Sequence, residues 1–120
     1  MKIILIAAFL NFTFALFGQH KSDRSFFTLN DTTFNIGYVY RVDGVFFSYV
    51  CNNPLGSSSH PELDEIASFL KNNKKLTVEV GIHSDFRGSA AYNLELTLRK
   101  AMAIKEYLVD RGIRQKRISV

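Results

Sequence analysis

One strand–loop–helix unit in the second half of the chain constrains the fold most. Leu76-Thr77-Val78-Glu79-Val80-Gly81 alternates apolar and polar residues, the period of a strand with one buried face. A polar stretch follows, His83-Ser84-Asp85-Phe86-Arg87-Gly88-Ser89-Ala90-Ala91-Tyr92-Asn93. Gly88 allows a tight reversal there, because a residue without Cβ adopts positive φ freely. A helical pattern then occupies part of Ala91 to Arg111 and stops at Gly112, the residue type that most readily ends a helix. Leu94, Ala101, Ile104 and Leu108 make its buried stripe. Thr97 is a candidate cap for an inner segment. A polar loop held between a strand and a helix is where binding residues collect.

The elements upstream complete an α+β plan. Phe34, Ile36, Tyr38 and Tyr40 alternate with Asn35, Gly37, Val39 and Arg41, a strand with one apolar face. Asp43-Gly44 signals a hairpin turn, and Val45 to Val50 reads as the second strand. Ser59-His60-Pro61-Glu62 has the form of a capping box, with Pro61 suited to a first helical turn. Leu63, Ile66, Ala67 and Leu70 then fall on one helix face, and Asn72-Asn73 ends the helix. The order predicts Leu76–Ser84 parallel to the Val45–Val50 strand through a crossover. Ile113 to Val120 begins a third strand of that series. The expected fold is a mixed β-sheet with two helices packed on one face: a β-hairpin, then the start of a βαβαβ run.

Residues 1–18 read as a separate object. Lys2 gives a positive start, Ile3 to Leu10 is apolar, and Ala15 and Gly18 are small, the layout of a cleavable export signal. A membrane span needs ~20 apolar residues, and Asn11 and Thr13 interrupt this run. Residues 19–32 are a polar lead-in, and residues 33–120 the domain. With 120 residues in all and 47% of them hydrophobic, there is material for one small core. Cys51 is the only cysteine, so no disulfide can form within the chain, and a buried, inert thiol is expected.

The net charge of +4 comes from scattered Lys and Arg. Lys74-Lys75 and Arg114-Gln115-Lys116-Arg117 are the clusters, and both sit at expected turns or helix ends, which reads as solvated charge. Nucleic-acid recognition would need basic and aromatic residues interleaved on one sheet face, a pattern this chain lacks. No His or Cys spacing suggests a metal, and no cofactor is expected. His83, Ser84 and Asp85 are adjacent, but neighbours on a strand point to opposite faces. With no nucleophile loop and no second histidine beside them in the sequence, catalysis is not expected.

Asn93, Leu96, Thr97 and Lys100 lie at offsets of 3, 4 and 7, so a continuous helix puts them on one face. Arg99 is rotated away from Lys100 by ~100°. Asp85 and Lys100 offer opposite charges, and Asn93 both a donor and an acceptor. Such a set can hold a zwitterion, its ammonium on Asp85 and its carboxylate on Lys100. It can equally form an internal salt bridge pinning the loop to the helix.

The same positions carry a family resemblance. Ser84-Asp85, Gly88, Asn93, Leu96-Thr97 and Lys100-Ala101 match the pattern Thr-Asp-x-x-Gly-x-x-x-x-Asn-x-x-Leu-Ser-x-x-Arg-Ala. This resembles the OmpA-like domain, the peptidoglycan-binding module of Gram-negative envelope proteins. The resemblance implies non-catalytic binding of the diaminopimelate residue of the stem peptide by Asp85, Lys100, Asn93, Ser84, Gly88 and Thr97. It also implies a periplasmic or outer-membrane location, tethering the envelope to the wall. Lys100 replaces the family's Arg, exchanging a two-pronged guanidinium for a point charge. The family's last helix and strand have no counterpart before Val120. An envelope interaction module with a degenerate pocket is the alternative.

Overall fold

The computed structural model describes residues 28–31, 38–42, 45, 47, 56–83 and 88–120, with residues 2–9 and His83 as backbone alone. The Asp43-Gly44 turn, Cys51 and the loop residues Ser84, Asp85, Phe86 and Arg87 lie outside these, as do Thr33–Gly37 and most of the leader and lead-in. The architecture is α+β. Strands β1 (Lys2–Phe9), β2 (Tyr38–Val42), β3 (Leu76–His83) and β4 (Ile118–Ser119) alternate with helices α1 (His60–Asn72) and α2 (Ala90–Asp110). The four strands form one mixed sheet in the order β2-β1-β3-β4.

The two-residue period predicted for β3 is met. Leu76, Val78 and Val80 are buried, Thr77 is half-buried and Glu79 exposed. Both helices cover the buried face. Leu63, Ile66, Ala67 and Leu70 of α1 meet Ala101, Ile104 and Leu108 of α2 in one core with β3, joined by Phe69, Ile113 and Ile118. Each fully buried Leu or Ile there contributes about 1.5–3 kcal/mol relative to exposure. Tyr38, Tyr40 and Phe47 pack at its margin. Val39, on the other face of β2, is buried as well, at 3% exposure.

The helix ends show how the chain sets its own boundaries. Pro61 opens α1 as expected, but the Ser59 side chain makes no capping bond. A 3-10 turn over Ser57–Ser59 leads straight into the helix, and Ser59 already has helical φ and ψ. A capping hydroxyl requires an extended residue, so the predicted capping box does not form. At α2 the cap is Ser89, which is extended, and its Oγ accepts from the Tyr92 amide at 3.2 Å. Gly112 has φ +92. Its amide donates to Val109 O at 2.8 Å, and the Ile113 amide to Leu108 O at 3.1 Å, a Schellman ending sealed by the buried Ile113 and Leu108.

Two further expectations are corrected. Leu94 is 62% exposed rather than buried. Helix α2 has 21 residues against 13 in α1, so it is about 12 Å longer, and its first turns have no helix of matching length beside them. Residues Ile113 to Arg117 are not strand. A 3-10 turn over Gln115–Arg117 intervenes, and only Ile118–Ser119 pairs with β3, in parallel. Both edges of β3 carry partners, β1 and β4, and the expected strand Val45–Val50 lies mostly outside the described residues.

The segment read as an export leader supplies β1, which pairs antiparallel with β2 from Ile3↔Val42 to Ala7↔Tyr38 and with β3 from Lys2↔His83 to Phe9↔Leu76. Strand β2 thus joins the sheet through β1. A chain of residues 19–120 should melt at least about 10 °C below the full chain, since each kcal/mol is worth about 4–8 °C in a domain this size. Circular dichroism melts of the two would check this, and equal midpoints would show that β1 is dispensable.

One side chain ties the far ends of the layer. Arg117 donates from Nε to Leu76 O at 2.8 Å, and from Nη2 to Leu70 O at 2.9 Å and Asn73 O at 2.8 Å. It therefore closes the Leu70 carbonyl, one of those α1 leaves open at its C-terminus, together with the carbonyl of the cap residue Asn73. Arg117→Met should destabilise the fold by about 2–3 kcal/mol, within the range for hydrogen bonds to charged donors. Arg117→Lys should not restore it, because a point charge cannot span three carbonyls. Urea unfolding of the three chains would measure both.

Candidate ligand-binding face

Helix α2 presents a graded face in its first half. Between Ala90 and Arg99 only Asn93, Leu96 and Thr97 are less than exposed, and Lys100 beyond them is buried. These are the residues at offsets of 3, 4 and 7. The helix is continuous through them, and the Thr97 hydroxyl caps no inner segment. It donates back to the carbonyls of Asn93 at 2.9 Å or Leu94 at 3.0 Å, which holds its methyl and oxygen along the face.

Gly88 adjoins the start of this stripe. Its φ is +93, and a Cβ placed on it would lie 3.5 Å from Asn93 Oδ1 and 3.6 Å from Tyr92 Cδ1. The backbone turn and the Asn93 amide are therefore neighbours. Any side chain at Gly88 would be strained by the positive φ. Of the six predicted site residues, the structure sets Gly88 beside Asn93 and puts Asn93, Thr97 and Lys100 along one face of α2. Ser84 and Asp85 lie outside the described residues.

Lys100 is 3% exposed. Its Nζ lies 5.0 Å from the centroid of the Phe47 ring, within cation–π range. Arg99, one residue away, pairs instead with Glu95, Nη2 to Oε1 at 2.7 Å, with most of its side chain in solvent. It does not reach the face. Among the described residues no cluster of three or more His, Cys, Asp or Glu could hold a metal ion.

Three residues that the sequence reading passed over organise the other side of α2. Tyr107 donates its hydroxyl to Asp64 Oδ1 at 2.8 Å, and Arg111 reaches both, its Nε 2.9 Å from the same carboxylate oxygen. His60 stacks on the Tyr107 ring at 5.0 Å. The network couples the first two turns of α1 to the last turns of α2. Its signal in the sequence, Tyr107 and Arg111 at i and i+4, is too common to single out.

Burial lowers the pKa of the Lys100 ammonium below the ordinary lysine value. The folded chain therefore releases that proton more readily than the unfolded one. Between the lowered value and the unfolded value of ~10.4 the unfolded state binds more protons, so stability rises with pH through that window. The stability of the natural chain relative to Lys100→Met should accordingly improve as pH is raised from neutral towards 10. Paired urea titrations across that range would show it, and parallel curves would mean that Lys100 titrates as an exposed lysine does.

Comparison with known proteins bears on this face. The OmpA family profile matches residues 54–120, which include β3, the loop, α2 and β4. A peptidoglycan-associated lipoprotein of Mesorhizobium japonicum is 32% identical over 88 residues, 73% of this chain and 49% of that protein. One from Rhizobium meliloti is 32% identical over 83 residues, covering 69% and 44%. Outer membrane protein A of Buchnera aphidicola subsp. Schizaphis graminum is 26% identical over 113 residues, 92% of this chain and 29% of that one. The chain thus spans half the length or less of these relatives. By the matched profile, over more than half of its residues, the chain belongs to the OmpA family.

Proposed function

We propose that the chain binds cell-wall peptidoglycan without catalysing a reaction, and so links an envelope structure to the wall. The observation that carries this reading is the single face of Asn93, Thr97 and Lys100 beside the Gly88 turn. Family membership and the names of the lipoprotein relatives support it. The ligand is the diaminopimelate end of the stem peptide, a zwitterion. Asp85 takes its ammonium and Lys100 its carboxylate, while Asn93, Thr97, Ser84 and the backbone at Gly88 supply neutral hydrogen bonds. A lysine offers a point charge where a guanidinium would offer two parallel bonds, so the contact is weaker than the family pattern would make it. The site works outside the inner membrane, in the periplasm or at the outer membrane, after export directed by residues 1–18. N-terminal sequencing of periplasmic protein should then begin between Leu16 and Gln19, and that mature form would lack β1.

The second reading is an interaction module whose pocket takes no ligand. The depth of Lys100 favours it, since an ammonium 3% exposed against an aromatic ring offers little surface to a carboxylate. Co-sedimentation with purified sacculi separates the two. Asp85→Ala should lose binding by about 2–5 kcal/mol if the site is dry. Lys100→Arg should sediment more completely, because its planar fork grips a carboxylate at two points. Wild-type pelleting by a folded Asp85→Ala protein would sink the peptidoglycan site and leave the interaction module.

A further inference from the structure

The two basic clusters of the sequence, some forty residues apart, meet in space. Lys71 in the last turn of α1 and Lys74 just beyond it face Gly112, Ile113, Arg114 and Arg117 across a cleft of about 290 Å³. Lys71 leans across it, its Cε 3.8 Å from where a Cβ on Gly112 would stand. Four of the six lining residues are cations and none is acidic.

Helix ends account for part of this charge. The C-termini of α1 and α2 both open here, and each carries about half a negative charge. Arg117 is committed to the α1 carbonyls. That leaves roughly one unit of negative dipole against four positive side chains. Lys71, Lys74 and Arg114 have no carboxylate partner among the described residues. The repulsion is felt locally, since after burial the charge of Arg114 is the next influence lowering the pKa of Arg117. A cleft with two ammonium groups and a guanidinium in excess suits a multiply charged oxyanion. Lysine serves phosphate as a point charge, and arginine as a fork.

We infer that the Lys71–Lys74–Arg114 cleft is a binding site for a phosphoryl group. It is independent of the peptidoglycan reading and lies at the opposite end of α2 from Gly88, about 30 Å away along a helix of 21 residues. The phosphoryl group belongs either to a free anion or to a lipid headgroup, and the chemistry at the cleft is the same for both.

The test is a titration of the full ¹⁵N-labelled chain at matched ionic strength, first with inorganic pyrophosphate, then with phosphatidylglycerol against phosphatidylcholine vesicles. The amides of Gly112 and Ile113 should shift saturably with pyrophosphate, or broaden selectively with phosphatidylglycerol. The first outcome identifies a free anion, the second a headgroup, and both support the site. Lys71→Gln/Lys74→Gln/Arg114→Gln should bind at least tenfold more weakly with an unchanged melting curve. If neither probe perturbs Gly112 and Ile113 in the natural chain, or the folded triple variant binds equally well, the site does not exist. Should the triple variant fail to fold, the natural-chain titration and Arg114→Gln alone decide the matter.

Discussion

The guanidinium of Arg117 is the joint on which the layered core depends. A helix C-terminus leaves carbonyls without partners, and α1 ends where the chain must turn at once into β3. Arg117 arrives from more than forty residues downstream and closes the carbonyls of Leu70, Asn73 and Leu76 together. One side chain thereby registers the end of α1, the start of β3 and the 3-10 turn before β4. Its neighbour Ile118 pairs with Val78 and enters the core. The short parallel strand is held less by its own ladder of two residues than by this anchor.

Helix α2 acts as a beam with two differently equipped ends. Its second half is fixed by Ala101, Ile104 and Leu108 in the core and by the Asp64–Tyr107–Arg111 network across to α1. Its first half keeps a single inward stripe and exposes Tyr92, Leu94 and Leu98. The rigid half lets the other half present Asn93 and Thr97 beside Gly88 without a second helix of equal length to hold them. Lys100 lies where the two regimes meet, which is why it is both charged and buried.

Much of this was legible from local rules. The β3 alternation, the α1 stripe, the Gly112 stop and the stripe from Asn93 to Lys100 depend on period and on one residue's backbone freedom, and all are written within a few neighbouring residues. The failures have a common cause. Leu94 has the spacing of a core residue, but burial depends on what the helix lies against, and spacing carries no information about that. Ser59 has the chemistry of a cap, yet the preceding 3-10 turn removes the extended geometry a cap needs. Arg117 looked like one of a solvated cluster, because the carbonyls it serves are distant in sequence. For the candidate face, the alignment of Asn93, Thr97 and Lys100 followed from helical offsets. The depth of Lys100 did not, since Phe47 reaches it from another part of the fold.

The central place of β1 gives the order of synthesis a structural meaning. Strand β1 is flanked on both edges by strands that follow it in the chain, β2 and then β3. While those eight residues remain attached, the backbone amides and carbonyls that both neighbours turn towards β1 have partners within the same chain. Severing the chain between residues 9 and 28 would turn two interior edges into open ones, and an open edge is a template for whichever strand is nearest. A cut in that interval therefore selects between two sheets, and the side of a membrane on which it is made decides which polypeptides can compete for the gap.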